Sequence, residues 1–255
     1  MTRAFFPMLP SARQPRLVGA PTVAILAGGL GTRLRSVVND RPKVLAEISG
    51  RPFLSFWLET LAQQGFREVV ICAGYLAEQV EQCLGDTFGP LQLRYSIEPQ
   101  PLGTGGALRL ASDRFSTDQV MVLNGDSFCE VDLAAFWKAH LERRLPASMV
   151  LRYEEDTRRY GRVTLSSDGR LENFLEKSDL IRPGWINAGI YLLPKDWISR
   201  VPAAQAISLE RDLLPGWMGE GIYGFPSAGR FIDIGTPESF ARAGEFFADA
   251  KKLAA

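Results

Sequence analysis

The chain has one histidine, three cysteines and no surplus of either charge, since 29 basic residues face 29 acidic ones among 255. Each shortage excludes something. With His140 alone, mechanisms built on a histidine base lose their usual donor. His140 falls in a helical stretch over residues 132–144 and reads as a surface side chain. Cys72, Cys83 and Cys129 are widely spaced in apolar surroundings. They read as buried free thiols, neither a disulfide framework nor a zinc site, and fit a reduced cytoplasm. Balanced charge gives no support to general nucleic-acid binding or to a membrane-surface role, so any affinity for phosphate must be local. No uninterrupted apolar run approaches the length that spans a bilayer. Residues 1–20 carry Arg3, Arg13 and Arg16 with Pro7, Pro10 and Pro15. Their apolar patch is short and broken by proline, so they are expected to be a flexible extension that crosses the surface, with residues 21–255 as one domain.

What the chain does have is glycine in an informative place. A strand-like apolar run over 23–27 ends at Gly28, Gly29 and Gly31, followed by Thr32, Arg33 and, further on, Lys43. Leu26 and Ala27 lead into the turn. Glycine permits positive φ and close approach of a ligand, and successive N–H groups can then converge on phosphate oxygens. Two cations follow at once. A nucleoside triphosphate site is one reading, and a glycine-rich β-turn with incidental cations is the other. The dinucleotide fingerprint fails because Leu34 stands where its third glycine belongs, and no Gly-Lys-Ser/Thr follows for a Walker loop.

Beyond this turn, strand-like and helix-like segments alternate. The periodicity predicts helices over 52–64, 76–84, 103–111 and 132–144, the last capped by Asp132, with strands over 68–73, 92–97 and 119–123. That order implies a mostly parallel sheet with helices on both faces. Strand-like segments then follow one another over 147–153, 161–166, 171–176 and 185–193. Helices are expected at 195–200, 209–218 and 237–250, and short strands at 222–225 and 231–233. The second half therefore reads as an antiparallel extension of the same sheet, forming the other wall of a cleft. Trp197 and Trp217 mark either an oligomeric contact or core.

Asp126 follows the strand that begins near Val120, with Gly125 beside it, and Asp233 ends another strand. One aspartate from each half can clamp a hard divalent cation such as magnesium, which takes one or two carboxylates together with phosphate oxygens and water. The alternatives are a turn residue at Asp126 and a carboxylate satisfying backbone amides at Asp233. Glu176-Lys177 offers a hydroxyl acceptor and a phosphate partner, or else a solvated pair. Tyr160-Gly161 and Asn187-Ala188-Gly189 put small residues beside hydrogen-bonding ones, as a polyol site requires and as ordinary turns also do.

These motifs, with Pro42-Lys43, Leu102-Gly103-Thr104 and Asp233-Ile234-Gly235-Thr236-Pro237, resemble the sugar-1-phosphate nucleotidyltransferases from about residue 23 to about 247. Within that family the segment 30–42 and Asn124-Gly125-Asp126-Ser127-Phe128 look most like the D-glycero-D-manno-heptose 1-phosphate guanylyltransferases, with mannose-1-phosphate guanylyltransferases close behind. The resemblance implies a Rossmann-like three-layer α/β sandwich whose antiparallel extension is the sugar-binding wall. It implies that Leu26, Ala27, Gly28, Gly29, Gly31 and Thr32, with Gly103 and Thr104, hold the nucleotide. Arg33 neutralises the departing pyrophosphate, Lys43 grips the reacting phosphates, and Asp126 and Asp233 bind Mg2+. Lys177 meets the sugar phosphate, while Gly125, Gly161, Glu176 and Asn187 face the sugar side. Ser178 stands where many relatives have proline. The carboxy-terminal β-helix of some relatives has no counterpart here, so no acetyltransferase activity is implied.

The expected reaction is attack of a sugar 1-phosphate oxygen on the α-phosphorus of a nucleoside triphosphate, with pyrophosphate leaving. That oxygen is ionised near neutral pH, so no base is required. Glu98, in the loop expected beside the base, can accept from both N1–H and N2–H of guanine, which favours GTP. Rival readings are a non-catalytic sugar-nucleotide-binding regulator, a nicotinamide-dependent oxidoreductase on a similar sheet, and the same chemistry with dTTP, UTP or CTP or with another acceptor. Intact Arg33, Lys43, Asp126 and Asp233 argue against the first, and the missing third glycine against the second.

Overall fold

The computed structural model describes residues 15–175 and 181–253. Its centre is four parallel strands, three of which the sequence marks as apolar runs, as strands buried on both faces must be, while the fourth, towards the sheet edge, alternates between buried and exposed residues. They are β1 (Thr22–Ala27), β4 (Glu68–Ala73), β6 (Leu91–Ile97) and β7 (Gln119–Asn124), in the order β7-β1-β4-β6. The alternation along each strand sorts side chains between two cores. Val23, Ile25, Val69, Ile71, Met121 and Leu123 face α1 (Phe53–Gln63), α2 (Ala77–Leu84), α4 (Leu133–Glu142) and α7 (Pro237–Leu253). Ala24, Val70, Cys72, Val120 and Val122 face α3 (Gly103–Ala111), α5 (Lys195–Ser199) and α6 (Leu214–Trp217). Those two packed faces make the expected three-layer sandwich.

The second half extends this sheet through β12 (Gly184–Pro194), which pairs antiparallel with β7, with β9 (Ala147–Glu154) and with β10 (Arg162–Leu165); β10 in turn pairs with β11 (Leu171–Leu175). The extension is not wholly antiparallel, because β13 (Ile222–Ser227) joins β9 in parallel. Two small pairings had no signal in the sequence pattern. β2 (Glu47–Ile48) and β3 (Arg51–Pro52) form a hairpin through Ser49 and Gly50, both at positive φ, as the tight twisted hairpin turns require. β8 (Ser127–Cys129) pairs antiparallel with β14 (Phe231–Asp233) in a two-stranded ribbon apart from the main sheet. β5 (Thr87–Phe88) adds an edge to β6.

Two expectations, on His140 and Cys83, meet the structure differently, and one open choice, on Trp197 and Trp217, closes. His140 is not on the surface: it is 3% exposed, and its Nδ1 lies 2.8 Å from Ser148 Oγ. Leu133, Phe136, Trp137 and His140 follow the i, i+3, i+4, i+7 spacing of one buried helix face. Burial depresses its pKa to about 4, so the ring is neutral near neutral pH. Trp197 and Trp217 are buried and pack on each other at 5.5 Å, so of the two readings core is the one observed. Cys83 is only half-buried, while Cys72 and Cys129 are buried; all three are free thiols. Burial pushes Cys72 to about 12 and Cys129 to about 11, which keeps both protonated and inert. Leu17 N–H donates to the Gly65 carbonyl, and Leu17 and Ala20 pack against the core.

Candidate active site

The site lies at the carboxyl ends of β1 and β7, where open α/β sheets bind ligands. Two cavities open there. The first, of about 340 Å³, is lined by Leu26 to Leu30, Lys43, Glu98, Gly103 and Thr104. The second, of about 250 Å³, is lined by Arg33, Arg159, Tyr160, Gly161, Asn187 and Asp233. Asn124, Asp126 and Glu210 belong to both. Of the residues expected for the nucleotide, Leu26 to Gly29, Glu98, Gly103 and Thr104 line the first, Arg33 lines the second, and Gly31 and Thr32 line neither; of those expected on the sugar side, Gly161 and Asn187 line the second and Gly125 lines neither.

In the first chamber the backbone dominates. Gly31 has φ +59 and opens a 3₁₀ turn, Thr32–Leu34, where an α-helix would follow a dinucleotide loop. Gly28 is where it is because of Glu98: a methyl there would fall 2.1 Å from Glu98 Oε1. Glu98 Oε2 accepts from Leu102 N–H at 2.7 Å. Burial raises the Glu98 carboxyl above its ordinary value, against the smaller lowering effect of that amide. Thr104 is committed to the protein. Its hydroxyl donates to Glu210 Oε2 at 2.9 Å and accepts from Leu209 N–H at 2.7 Å. The amides of Gly105 and Gly106, which open α3, donate to the Ile207 carbonyl at 2.8 and 3.2 Å. This glycine-rich helix start therefore serves chain packing.

Gly125 also packs. Its N–H donates to Leu26 O at 2.9 Å, and a methyl would meet that oxygen at 2.6 Å. This tight crossing sets the position of Asp126 just beyond it. Lys43 forms an ion pair with Asp126 Oδ2. Asp126 and Asp233 lie 107 positions apart in sequence, and the β8–β14 ribbon brings them together. Ser127 is paired with Asp233, and Ile234 N–H donates to the Asp126 carbonyl at 2.9 Å. Trp57 Nε1–H anchors the ribbon through Ser127 O at 2.6 Å. Arg230 grips Glu130 with two nitrogens, at 2.9 and 2.6 Å.

Asp233 accepts from Gly235 N–H at 2.8 Å and is paired with Arg159 at 3.0 Å. Arg33 Nη2 lies 3.3 Å from where a Gly235 methyl would sit, and Arg33 has no ion-pair partner among the described residues. Gly161 backs onto the Phe174 ring, which a methyl would meet at 2.5 Å, and its carbonyl accepts from Asn187 N–H. Asn187 Nδ2–H donates to Tyr191 Oη at 2.6 Å, and its Oδ1 accepts from Gly189 N–H at 2.9 Å. Gly189, at φ +74, presses on Asn124 where the register of β12 against β9 shifts. Such irregularities re-aim side chains at a site. Glu176 and Lys177 lie outside the described residues.

Three residues of this site were not singled out from sequence. Glu210 links the chambers: its Oε1 accepts from Tyr191 Oη at 3.3 Å while Oε2 takes the Thr104 hydroxyl. Burial holds the Tyr191 phenol well above its usual pKa, with the Glu210 charge adding to the shift, so the phenol stays protonated and donates. Asn124, which lines both chambers, has its Oδ1 buried with no hydrogen-bond partner among the described residues, a group that protein interiors rarely leave unpaired. Arg159 lies in a polar stretch with no periodic signal, and nothing in the sequence pointed to it.

Among the described residues no helix is long and apolar enough to cross a membrane. Residues 22–250 match the nucleotidyl transferase family. The chain is 36% identical over 220 residues to a D-glycero-alpha-D-manno-heptose 1-phosphate guanylyltransferase of Aneurinibacillus thermoaerophilus, covering 86% of this chain and 95% of that one. It is 35% identical over 222 residues to a mannose-1-phosphate guanylyltransferase of Mycobacterium tuberculosis, covering 86% of this chain and 62% of that one. The solved structure of HddC from Yersinia pseudotuberculosis complexed with GMP-PN superposes with a TM-score of 0.78 at 34% identity, over 89% of this chain and 100% of that one. With its glycine turn, its two chambers and a match over nearly its whole length, the chain belongs to the nucleotidyl transferase family, among the sugar-1-phosphate nucleotidyltransferases.

Proposed function

We propose that the chain transfers GMP from GTP to a sugar 1-phosphate of the heptose or mannose type, releasing pyrophosphate, in the cytoplasm. The observation that carries the reading is the pair of chambers meeting at Asp126. One chamber offers glycine backbone and the Glu98 carboxylate; the other offers polar groups from antiparallel strands. The names borne by the relatives support guanine and these sugars. The Glu98 carboxylate, with an accepting oxygen beside Gly28, suits the two adjacent donors of the guanine edge.

In this mechanism the amides of residues 28–31 and Lys43 hold the triphosphate. Arg33, which lines the second chamber, takes the departing pyrophosphate. Gly161, Asn187, Glu176 and Lys177 orient the sugar phosphate. Its oxygen attacks the α-phosphorus; the new P–O bond forms as the bond to the β-phosphate breaks, and the electron pair leaves with pyrophosphate. No proton need move. Rate comes from alignment and from charge held around the α-phosphate.

Asp126 and Asp233 fit a magnesium ion. Asp126, in the turn just before β8, and Asp233, at the end of β14, supply hard oxygen donors to one chamber. No group of three or more His, Cys, Asp or Glu able to hold a metal occurs among the described residues, and two carboxylates with phosphate oxygens and water suffice for magnesium. When bound, the ion adds positive charge beside the reacting phosphates. The test is pyrophosphate release across GTP, dTTP, UTP, CTP and ATP against heptose, mannose and other sugar 1-phosphates. Release with GTP and a heptose or mannose 1-phosphate is expected; preference for a pyrimidine nucleotide overturns the assignment of the base.

A further inference from the structure

Asp233 already has a cation on it, and the grip is loose. Arg159 reaches it with one nitrogen only: Nη2 lies 3.2 and 3.0 Å from the two carboxylate oxygens and 3.4 and 3.3 Å from the hydroxyls of Thr236 and Ser239. Arg230, by contrast, meets Glu130 with Nε and Nη2 together, the two-pronged geometry in which guanidinium binds carboxylate most strongly. The Arg159 side chain is 34% exposed and Asp233 is 19% exposed. A single-nitrogen pair that is partly open to solvent is held less firmly than a two-pronged one, so it can be exchanged. Nε and Nη1 of Arg159 make no hydrogen bond among the described residues. Tyr160 packs edge-on against Phe231 of β14 at 5.4 Å, and the Arg159 guanidinium lies 5.9 Å from the centre of the Tyr160 ring, so the Arg159 head group sits beside a held aromatic with no second nitrogen anchored by a hydrogen bond among the described residues.

Arg159 lines the second chamber, where Arg33 is the other cation among the described residues. A sugar 1-phosphate brings up to two negative charges there. We propose that Arg159 is an exchangeable counter-ion, neutralising Asp233 until a divalent cation takes that carboxylate and then pairing with the phosphate of the incoming sugar 1-phosphate. Its role is to position charge, and the inference rests on the function proposed above. Exchange makes the two ligands cooperative: each pulls Arg159 off, or keeps it off, the group the other needs. By linkage each raises the affinity of the other by the same factor.

The test is Mn2+ binding, followed by electron paramagnetic resonance or calorimetry, on the full chain and its Arg159→Gln and Arg159→Lys variants. It is run with and without whichever of mannose or heptose 1-phosphate supports pyrophosphate release. In the parent, the sugar phosphate is expected to tighten Mn2+ binding about fivefold or more. Arg159→Gln should bind Mn2+ more tightly by itself, because its competitor is gone, and should lose the enhancement. Arg159→Lys, which keeps the charge, should retain the enhancement. Weaker Mn2+ binding in Arg159→Gln, or an enhancement equal to the parent's, overturns the proposal while leaving the transferase reading intact. No pyrophosphate release by the parent with any substrate pair removes that reading and this inference with it.

Discussion

The two chambers share a wall but are made of different material. The nucleotide side is backbone: a strand end, three glycines, and a carboxylate allowed in because Gly28 has no side chain. The sugar side is side chains, Asn187, Tyr191, Glu210, Arg159 and Asp233, hydrogen-bonded across four separate segments. A backbone-built chamber accepts phosphate whatever is attached to it. A side-chain network can be altered one member at a time, so under the function proposed above acceptor choice falls to the second chamber.

That contrast can be broken at its junction. Asp126→Ala or Arg33→Ala should lower turnover roughly 10²–10³-fold, about 3–4 kcal/mol of barrier, with the fold retained. Steady-state kinetics with circular dichroism checks this, and near-normal turnover removes the residue from the catalytic set. Gly28→Ala comes next. The new methyl displaces the Glu98 carboxylate, the far end of a flexible side chain, so the chain should still fold. Its preference for GTP over pyrimidine nucleotides should fall about tenfold or more, corresponding to one lost charged hydrogen bond. Competition assays between nucleotides measure it, and an unchanged preference shows that the base is read elsewhere.

Glu210→Ala cuts the tie between chambers and should cost about tenfold in kcat/KM for both substrates, the scale of one or two buried hydrogen bonds. An effect on one substrate alone would mean that the chambers act independently. The smallest effect is pH-dependent. With Glu98 held above the ordinary carboxyl range, affinity for GTP should weaken as pH falls through that raised value, and Glu98→Gln should abolish the dependence. For folding the sign is opposite. A carboxyl whose pKa is raised by burial favours the native state below its unfolded pKa, and this contribution is lost as pH rises through the folded value. Thermal midpoints across mildly acidic pH, compared between the parent and Glu98→Gln, read it directly.

The same contrast explains what could be read from sequence. β1, β4, β7 and α3 were legible because strands buried on both faces are apolar runs and glycine punctuates them, and β6 because its apolar residues alternate; residues 68–73 and 103–111 have the expected limits. The glycine turn and Asp126 were legible because their chemistry is local. The strand over 231–233 was expected and is β14, but β8 has three residues, too few to show a period, and nothing in the sequence paired the two, so the ribbon joining the two aspartates emerged only in space. Arg159 and Glu210 act through partners dozens of residues away. His140 was legible after all: its position on the stripe of Leu133, Phe136 and Trp137 outweighs the polarity of its ring. Thr104 and Gly125 sit inside recognisable motifs, yet the structure occupies both with internal bonds.

The ribbon formed by β8 and β14 has a mechanical consequence. It is joined to the ten-stranded sheet at its ends and not along its edges. Trp57 and the burial of Phe128, Cys129 and Ile232 hold it to the core as one piece. Asp126 and Asp233, fixed to it by Ser127 and Ile234, share that one footing, and their spacing would survive a change in the gap between the walls.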